Sequence, residues 1–309
     1  SLVIILFFGG LFFSLASTSL VASDKLETNS YFFFFKHLVF VLIGLFLIFF
    51  FSYMDKNTLY KLSIYIFCLS FLLLLLVPFF GVEVKGSKRW LDIFFFPRLQ
   101  PIELVKPFFI IFLSSIISYE KFSNFTLKFI ISFLPTLLTA SLLIIQPDIG
   151  QTLLIGFSWL ILIFISGINL LFLVTISFIG IALLFYTAFY IAKFEYIKNR
   201  LLSFFDTENG TYNFQSDKAL DSITSGGFFG KGIGEGVLKN KVPEAHTDYI
   251  ISVISEEFGV IAIILILVLF LVFAYSILKK VSMETDSKTK LILVGCVSLI
   301  LLQAMIHIG

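Results

Sequence analysis

The sequence predicts an all-α, polytopic integral membrane protein with about nine transmembrane helices and one long polar loop. Hydrophobic residues make up 59% of the 309 residues, charged residues only 14%, and the mean hydropathy is +1.04. Soluble domains carry about 25% charged residues, so this composition is typical of a chain surrounded by lipid. A formal net charge of +2 with no basic tail gives no reason to expect a nucleic-acid partner.

The transmembrane helices are predicted from apolar runs, because a spanning helix needs roughly 20 mostly apolar residues. These runs lie at 2–20, 33–53, 62–80, 101–118, 129–146, 150–166, 168–192, 249–275 and 290–308. Between the seventh and eighth runs lies a polar stretch, 193–248. Loops of this length are usually functional or disordered. We therefore expect a single transmembrane domain over 1–309, with its chemistry centred on this loop.

The end of the long loop, VPEAHTDYIISVISEEFG, is the first candidate site. Its titratable side chains are Glu244, His246, Asp248, Glu256 and Glu257. Asp248 directly precedes an apolar helix, where it could cap the helix or act as a carboxylate held ionised by the helix dipole. His246 could equally be a hydrogen-bonded loop residue. A metal site from Glu244, His246 and Asp248 is chemically possible but has no standard ligand spacing.

A second candidate is the stretch GSKRWLDIFFFPRLQPIELVKP, residues 86–107. Its basic side chains are Lys88, Arg89 and Arg98, and Gln100 follows them at the entry to a helix. Glu103 and Lys106 are three residues apart, so they share a helix face and are expected to form a structural ion pair. Such pairing neutralises two charges that are costly in a membrane.

Two further motifs are ambiguous. In QPDIGQ, Asp148 could cap the helix that follows or contribute to a site. The Gly-rich stretch SGGFFGKGIGEG, residues 225–236, superficially suggests a phosphate-binding loop. However, it has neither the spacing nor the Ser or Thr of a P-loop. We interpret it as a flexible or re-entrant loop at the membrane surface.

Taken together, these segments resemble the SEDS family (shape, elongation, division and sporulation) of bacterial cell-wall glycosyltransferases. In chain order they are GSKRW, QPIELVKP, QPDIGQ, NRLLSFFDTENGTYNFQSDKALDSITSGGFFGKGIGEG and VPEAHTDYIISVISEEFG. They cover nearly the whole chain. Ala245 in PEAHTD resembles the division proteins of the family, whereas the elongation proteins tend to carry Arg there. Ile102 and Ile197 depart from the Ser and Arg that the family often has at these positions.

The resemblance implies a fold of ten transmembrane helices, of which the nine runs match the first nine. The chain is therefore expected to be truncated at both ends, with the tenth helix missing. The family's long loop lies outside the cytoplasm, although the positive-inside count on its own favours the cytoplasm for 193–248. The implied location is the bacterial cytoplasmic (inner) membrane, as a multi-pass protein at the division septum.

The resemblance also implies polymerisation of lipid II, an undecaprenyl-diphosphate-linked disaccharide-pentapeptide, into β-1,4 glycan strands during septal cell-wall synthesis. The family's essential aspartate corresponds to Asp248, the expected general base of this inverting transfer. Substrate contacts are expected from Lys88, Arg89, Arg98, Arg200, Glu244, His246 and Thr247. The four cations among these could hold the diphosphate or contact lipid headgroups. Further candidates are Gln100, Asp148, Glu256 and Glu257. A divalent cation, Mg²⁺ or Mn²⁺, is a conceivable supplement, and no other cofactor is expected.

The implied partners are lipid II, a class B penicillin-binding transpeptidase and other membrane proteins of the division machinery. Two alternatives are open. The intramembrane charges also fit a flippase or transporter for the lipid-linked precursor, although the sequence shows no internal repeat. The chain could also be a non-catalytic scaffold that recruits the transpeptidase.

Overall fold

The protein is almost entirely helical. A computed structural model describes residues 2–26, 31–84, 87–92, 98–119, 125–191, 198, 202, 214–237 and 249–308. These residues form ten named helices and one hairpin: α1 Leu2–Leu26, α2 Phe32–Ser52, α3 Lys56–Phe80, β1 Val82–Val84, β2 Ser87–Trp90, α4 Pro101–Ile117, α5 Phe125–Ile145, α6 Ile149–Ile165, α7 Leu170–Tyr190, α8 Phe214–Gly226, α9 Ile250–Met283 and α10 Ser287–Ile308.

All nine apolar runs form helices, so the predicted multi-pass helical class is confirmed. Six described helices are long and apolar enough to cross a membrane, and Leu2–Leu15 and Ile149–Ile165 are shorter apolar helices. None of the described side chains in the apolar stretch Leu170–Thr187 of α7 is buried within the protein. Such helices cover their apolar side chains with lipid rather than with protein. The remaining helix, α8, lies in the polar loop and is amphipathic rather than apolar.

The chain divides into two compact units. The first unit contains Ser1–Phe50 and Thr175–Phe273, and the second contains Phe51–Val174 and Ala274–His307. Three helices, α2, α7 and α9, run from one unit into the other along the chain.

In the second unit, α4 is the central helix and packs against α3, α5 and α6. The buried face of α3 repeats every three or four residues, as expected for a helix with one packed side. Phe67 on this face stacks on Phe112 of α4, with ring centroids 4.4 Å apart. Gly295 of α10 allows a close helix contact, because a Cβ there would lie 2.5 Å from the Ile110 side chain. The antiparallel strands β1 and β2 occupy the connection between α3 and α4.

In the first unit, the polar loop packs on the beginning of α9. Ala219 of α8 and Val253 of α9 are both buried in one cluster with Tyr249 beside them. On α9, Phe258 also meets the rings of Phe12 and Phe13 in α1, with centroids 5.8 and 5.4 Å apart. The start of α9 is therefore held between an apolar helix and the polar loop.

Candidate active site

The predicted base lies at the start of α9. Asp248 directly precedes Tyr249 in the sequence, and α9 begins at Ile250. Asp248 itself lies outside the described residues, as do Arg200, Glu244, His246 and Thr247. Their contacts therefore stay predictions. The structure describes the residues on either side of the segment 238–248, namely Val237 before it and Tyr249 after it.

Helix α9 is broken two turns after its start. Gly259 has φ 78° and ψ 178°, values that interrupt the helix and that only glycine adopts readily. Ile250–Phe258 forms a first segment and Val260–Met283 a second. The Gly-rich turn, defined here as residues 226–237, packs directly against this break. A Cβ on Gly259 would lie 2.2 Å from the Phe228 carbonyl oxygen.

Glu256 and Glu257 are fully buried at this break, with exposures of 0 and 1%. The Glu256 carboxylate accepts hydrogen bonds from the Val237 N–H at 2.9 Å and from the Ser222 hydroxyl at 3.0 Å. The Lys231 ammonium lies 3.5 Å from the same carboxylate. The Glu257 carboxylate accepts a bond from the Gly234 N–H at 3.2 Å. These partners stabilise charges that would otherwise be costly in the interior.

The carboxylates thereby tie the loop to α9. Glu256 connects α8, through Ser222, to the last residue of the Gly-rich turn, Val237. The Ser222 hydroxyl also lies 3.3 Å from the Ser252 carbonyl oxygen of α9. As a result, the chain on both sides of 238–248 is fixed to the first segment of α9. Neither the Ser222 nor the Lys231 contact was foreseen, because both residues lie more than twenty positions from Glu256 in sequence.

In the second unit, Arg89 holds the turn between α5 and α6. Its guanidinium donates to the carbonyl oxygens of Gln146, at 3.3 Å, and of Pro147. It also lies 3.7 Å from the Asp148 carboxylate. Arg89 was predicted as a substrate contact. Its observed partners give it a structural task as well, because two of its five N–H donors bond to this turn.

Asp148 caps helix α6. Its carboxylate accepts a hydrogen bond from the Gln151 N–H at 3.4 Å, and the Gln100 amide lies 3.5 Å from its other oxygen. Asp148 lies in the connection between α5 and α6 and is 7% exposed. Burial raises the pKa of the Asp148 carboxyl, and the nearby Arg89 guanidinium opposes that rise.

Lys106 lies at the centre of a second polar group in this unit. It is 2% exposed, and its ammonium lies 2.8 Å from the Glu103 carboxylate. It also donates to the Gln303 side-chain oxygen of α10 at 2.9 Å. Gln151 donates to Glu103 at 3.4 Å. Lys106 thus links α4 to α10. The role of Gln303 was not predicted; the signal in the sequence was a single amide within an apolar run.

The other two predicted cations of this unit are more exposed. Lys88 lies on β2 and points to the surface, and Arg98 is 3.9 Å from Asp92 with both side chains more than half exposed. Such an exposed pair contributes little stability. Among the described residues, no three His, Cys, Asp or Glu side chains lie together as metal ligands. The proposed trio at 244–248 falls outside that description.

The fold and these buried polar groups define a polytopic helical membrane protein whose long polar loop contains a packed segment, residues 214–237. The profile of the cell cycle protein family of FtsW, RodA and SpoVE matches residues 1–309. The chain belongs to this family, as the SEDS resemblance predicted.

Several curated relatives are similar over much of the chain. The probable peptidoglycan glycosyltransferase FtsW of Coxiella burnetii is 34% identical over 82% of this chain and 69% of its own length. Stage V sporulation protein E of Bacillus subtilis is 32% identical over 95% of this chain and 81% of its own. The probable FtsW of Caulobacter vibrioides is 31% identical over 68% of this chain, which spans about half, 53%, of that relative.

Solved structures support the same fold. A structure from a peptidoglycan synthase complex aligns with a TM-score of 0.74 at 22% identity, covering 97% of this chain and 85% of the other. The rod shape determining protein RodA of Thermus thermophilus aligns with a TM-score of 0.64 at 21% identity, covering 97% and 83%. The predicted SEDS architecture is confirmed.

Proposed function

We propose that this protein is a peptidoglycan glycosyltransferase that polymerises lipid II during septal cell-wall synthesis. The observation that carries the proposal is the position of the PEAHTD segment. It ends at the start of α9, to which two buried glutamates fix the preceding loop. The names of the Coxiella and Caulobacter relatives support the same activity.

The proposed reaction is an inverting transfer between two membrane-bound substrates. The acceptor 4-hydroxyl oxygen forms a bond to the anomeric carbon of the donor, and the bond from that carbon to the diphosphate oxygen breaks. The hydroxyl proton passes to the Asp248 carboxylate, and undecaprenyl diphosphate leaves as an anion. Because the leaving group needs no proton, one carboxylate is sufficient, unlike the pair in inverting glycosidases.

The position of Asp248 before α9 suits this task. Unpaired N–H groups at a helix start favour an ionised carboxylate, and general-base catalysis contributes roughly 10²–10⁴-fold to such reactions. The buried Glu256 and Glu257 are unsuited to proton transfer with substrate, since each is buried and accepts a hydrogen bond from the loop. Their contribution is to hold the loop rather than to react.

Cations would stabilise the departing diphosphate. Arg89 and Lys106 are largely committed to protein partners, whereas Lys88 and Arg98 are exposed. We expect Lys88, Arg98 and Arg200 to contribute more to substrate affinity than Arg89. The corresponding measurement is lipid II binding by single Gln variants of these residues. An Arg89→Gln variant that weakened binding more than all three, while folding normally, would reverse this ranking.

The activity is tested with the intact, purified protein and its transpeptidase partner. Asp248→Asn should abolish glycan polymerisation from lipid II without reducing thermal stability. Asp217→Asn is the matched control, because Asp217 is an exposed carboxylate on α8 of the same loop. Full polymerisation by Asp248→Asn would refute the proposed chemistry. Chelation and re-addition of Mg²⁺ or Mn²⁺ in the same assay determines the divalent-ion requirement.

The proposed setting is the bacterial cytoplasmic membrane at the division septum, with a class B penicillin-binding transpeptidase and other division proteins as partners. The similarity to FtsW relatives supports the division role, and the structural likeness to a chain of a peptidoglycan synthase complex suggests a synthase partner. Co-purification from membranes and septal localisation of a tagged protein test these points.

Transport of the lipid-linked precursor is the second candidate. The polar group of Glu103, buried Lys106 and Gln303 favours it, because polar residues within membrane helices often line transport routes. Polymerisation assayed in detergent separates the two functions, because detergent micelles do not have two sides between which a substrate could be transported. Activity that depends on Asp248 in detergent would exclude pure transport. A scaffold without catalysis would instead support division with Asp248→Asn in place.

A further inference from the structure

The Gly-rich turn completes the broken helix α9. At the break, the carbonyl groups that end the first segment and the N–H groups that begin the second lack helical partners. The turn supplies them. The N–H groups of Lys231 and Gly232 donate to the Glu256 and Glu257 carbonyl oxygens at 2.9 and 3.1 Å. In return, the carbonyl oxygens of Gly227 and Phe228 accept from Val260 and Ile261 at 3.0 and 3.4 Å.

This reciprocal pairing needs glycine at the contact. A Cβ at Gly226 would lie 2.0 Å from the Ser255 carbonyl oxygen, and one at Gly230 would lie 2.1 Å from that of Glu257. The Gly-rich composition therefore serves backbone approach rather than phosphate binding or flexibility. Backbone groups that are paired within the protein can be placed in lipid, where water is not available to pair them.

The length of the second segment places the break at a membrane boundary. From Val260 to Leu278 the helix carries no charged residue, and Lys279 and Lys280 follow. These 19 residues extend for about 28 Å at roughly 1.5 Å per residue, close to the thickness of the hydrocarbon core of about 30 Å. With Lys279 and Lys280 at one boundary of the hydrocarbon core, Gly259 lies at the opposite boundary.

The turn carries its largest apolar side chains at this level. Phe228 and Phe229 are 74 and 83% exposed, and Ile233 is 62% exposed. Because the Phe228 carbonyl oxygen accepts from the Ile261 N–H, the backbone that carries these side chains lies beside the first residues of the apolar segment. Lys231 and Glu235 alternate with them in sequence. Apolar side chains interleaved with charged ones are typical of segments at the boundary between headgroups and acyl chains.

We propose that the Gly-rich turn is a membrane-interface anchor whose occupant is phospholipid: Phe228, Phe229 and Ile233 insert at the headgroup–acyl boundary on the side of the long loop. The lipid surface is favoured because the turn is continuous with the lipid-covered start of the α9 span. Through Glu256, the anchor also fixes Val237 near headgroup level. If the proposed function is correct, this holds the chain next to Asp248 where a lipid-linked diphosphate lies. The anchoring itself does not depend on that function.

The test uses tryptophan fluorescence in phosphatidylcholine–phosphatidylglycerol nanodiscs with acyl chains brominated at different depths. Phe228→Trp and Phe229→Trp are compared with the parent, whose own tryptophans are Trp90 and Trp159, so that the added emission is the difference. Tyr275→Trp, on the exposed face of α9, is the lipid control, and Thr285→Trp, in the polar connection after α9, is the water control.

We expect blue-shifted added emission from position 228 or 229 that falls at least about twofold with bromine near the headgroups and less with bromine at the bilayer centre. The proposal would be overturned if the added emission resembled that of Thr285→Trp and was not quenched by the brominated chains. It would also be overturned if only the transpeptidase partner shielded the added tryptophan from water. Should the tryptophan variants not fold, a nitroxide on Phe228→Cys in a Cys68→Ser, Cys296→Ala background gives a second reading. Preferential relaxation by oxygen supports insertion, and preferential relaxation by a water-soluble nickel chelate contradicts it.

Discussion

Removing the Glu256 carboxylate is expected to release the Gly-rich turn from α9. In Glu256→Ala, the Val237 N–H loses its acceptor, the Ser222 hydroxyl keeps only the Ser252 carbonyl oxygen, and the Lys231 ammonium loses its nearby charge. Hydrogen bonds to charged groups contribute about 1.5–3 kcal/mol each. The bond from Val237 alone therefore corresponds to a roughly 10- to 100-fold change in the local opening equilibrium, since about 1.4 kcal/mol is tenfold.

Hydrogen exchange measured by mass spectrometry in nanodiscs is the direct assay, because it reports local opening. Peptides covering 231–237 should exchange roughly 10- to 100-fold faster in Glu256→Ala. Glu256→Gln keeps an acceptor oxygen but not the charge, so its effect should be intermediate. Glu284→Ala is the control, because Glu284 pairs with Lys56 at 3.6 Å on an exposed surface, where pairs contribute little.

Unchanged exchange of 231–237 in a folded Glu256→Ala protein would refute the role assigned to this carboxylate. The same variant also bears on catalysis. Under the proposed function, Glu256→Gln should lower polymerisation while Glu284→Ala should not. Faster exchange with full polymerisation would show that the attachment of the turn is structural only. Failure of Asp248→Asn to abolish polymerisation would instead count against the proposed base, so the two outcomes are separable.

Three further outcomes are expected from thermal unfolding of purified protein. Lys106→Met removes the ammonium that bonds to the Glu103 carboxylate and the Gln303 amide, which should cost about 1–3 kcal/mol. The cost is below that of a fully buried pair because Glu103 is 45% exposed and still accepts from Gln151. An unchanged melting temperature would contradict this. Gly259→Ala should prevent stable folding because its Cβ meets a backbone oxygen, whereas Gly150→Ala, with open space around it, should be tolerated. The Thr289 hydroxyl lowers the pKa of Asp286 below its usual 3.8. Its small stabilising effect is therefore present above that pH and lost as the pH falls through the lowered pKa, so wild type and Asp286→Asn should differ at pH 7 and converge in acid.

The helices were predictable because each needs a long apolar run, and the nine runs from 2–20 to 290–308 all became helices. Their ends were less accurate. Helix α3 begins at Lys56, six residues before the predicted run, because Asp55 caps it and the side chains that follow tolerate the membrane surface. The hairpin β1–β2 and helix α8 were not predicted, since both lie in the polar connections between the long apolar runs from which the helices were predicted.

Several candidate residues were identified from the sequence, but their contact partners were not. Glu256 and Glu257 were identified as candidate residues, but nothing in their spacing indicated that the Gly-rich stretch would provide their hydrogen bonds. Likewise, Arg89 was grouped with exposed cations from its position in a basic loop. The structure instead directs it to the turn before Asp148. Partners that are distant in sequence leave no local pattern, so these roles could not have been read from spacing.

The sequence by itself determined that this chain lies in a membrane, which segments cross it, and which family it joins. The free energy of transferring apolar side chains to lipid acts on each helix separately, so the sequence of each segment is enough to predict its helix. Only the tertiary structure decided that a break in α9 is completed by the Gly-rich turn and that two buried glutamates hold this turn against the first segment of α9. Those contacts exist because unpaired backbone groups and buried charges must find partners wherever the folded chain brings them.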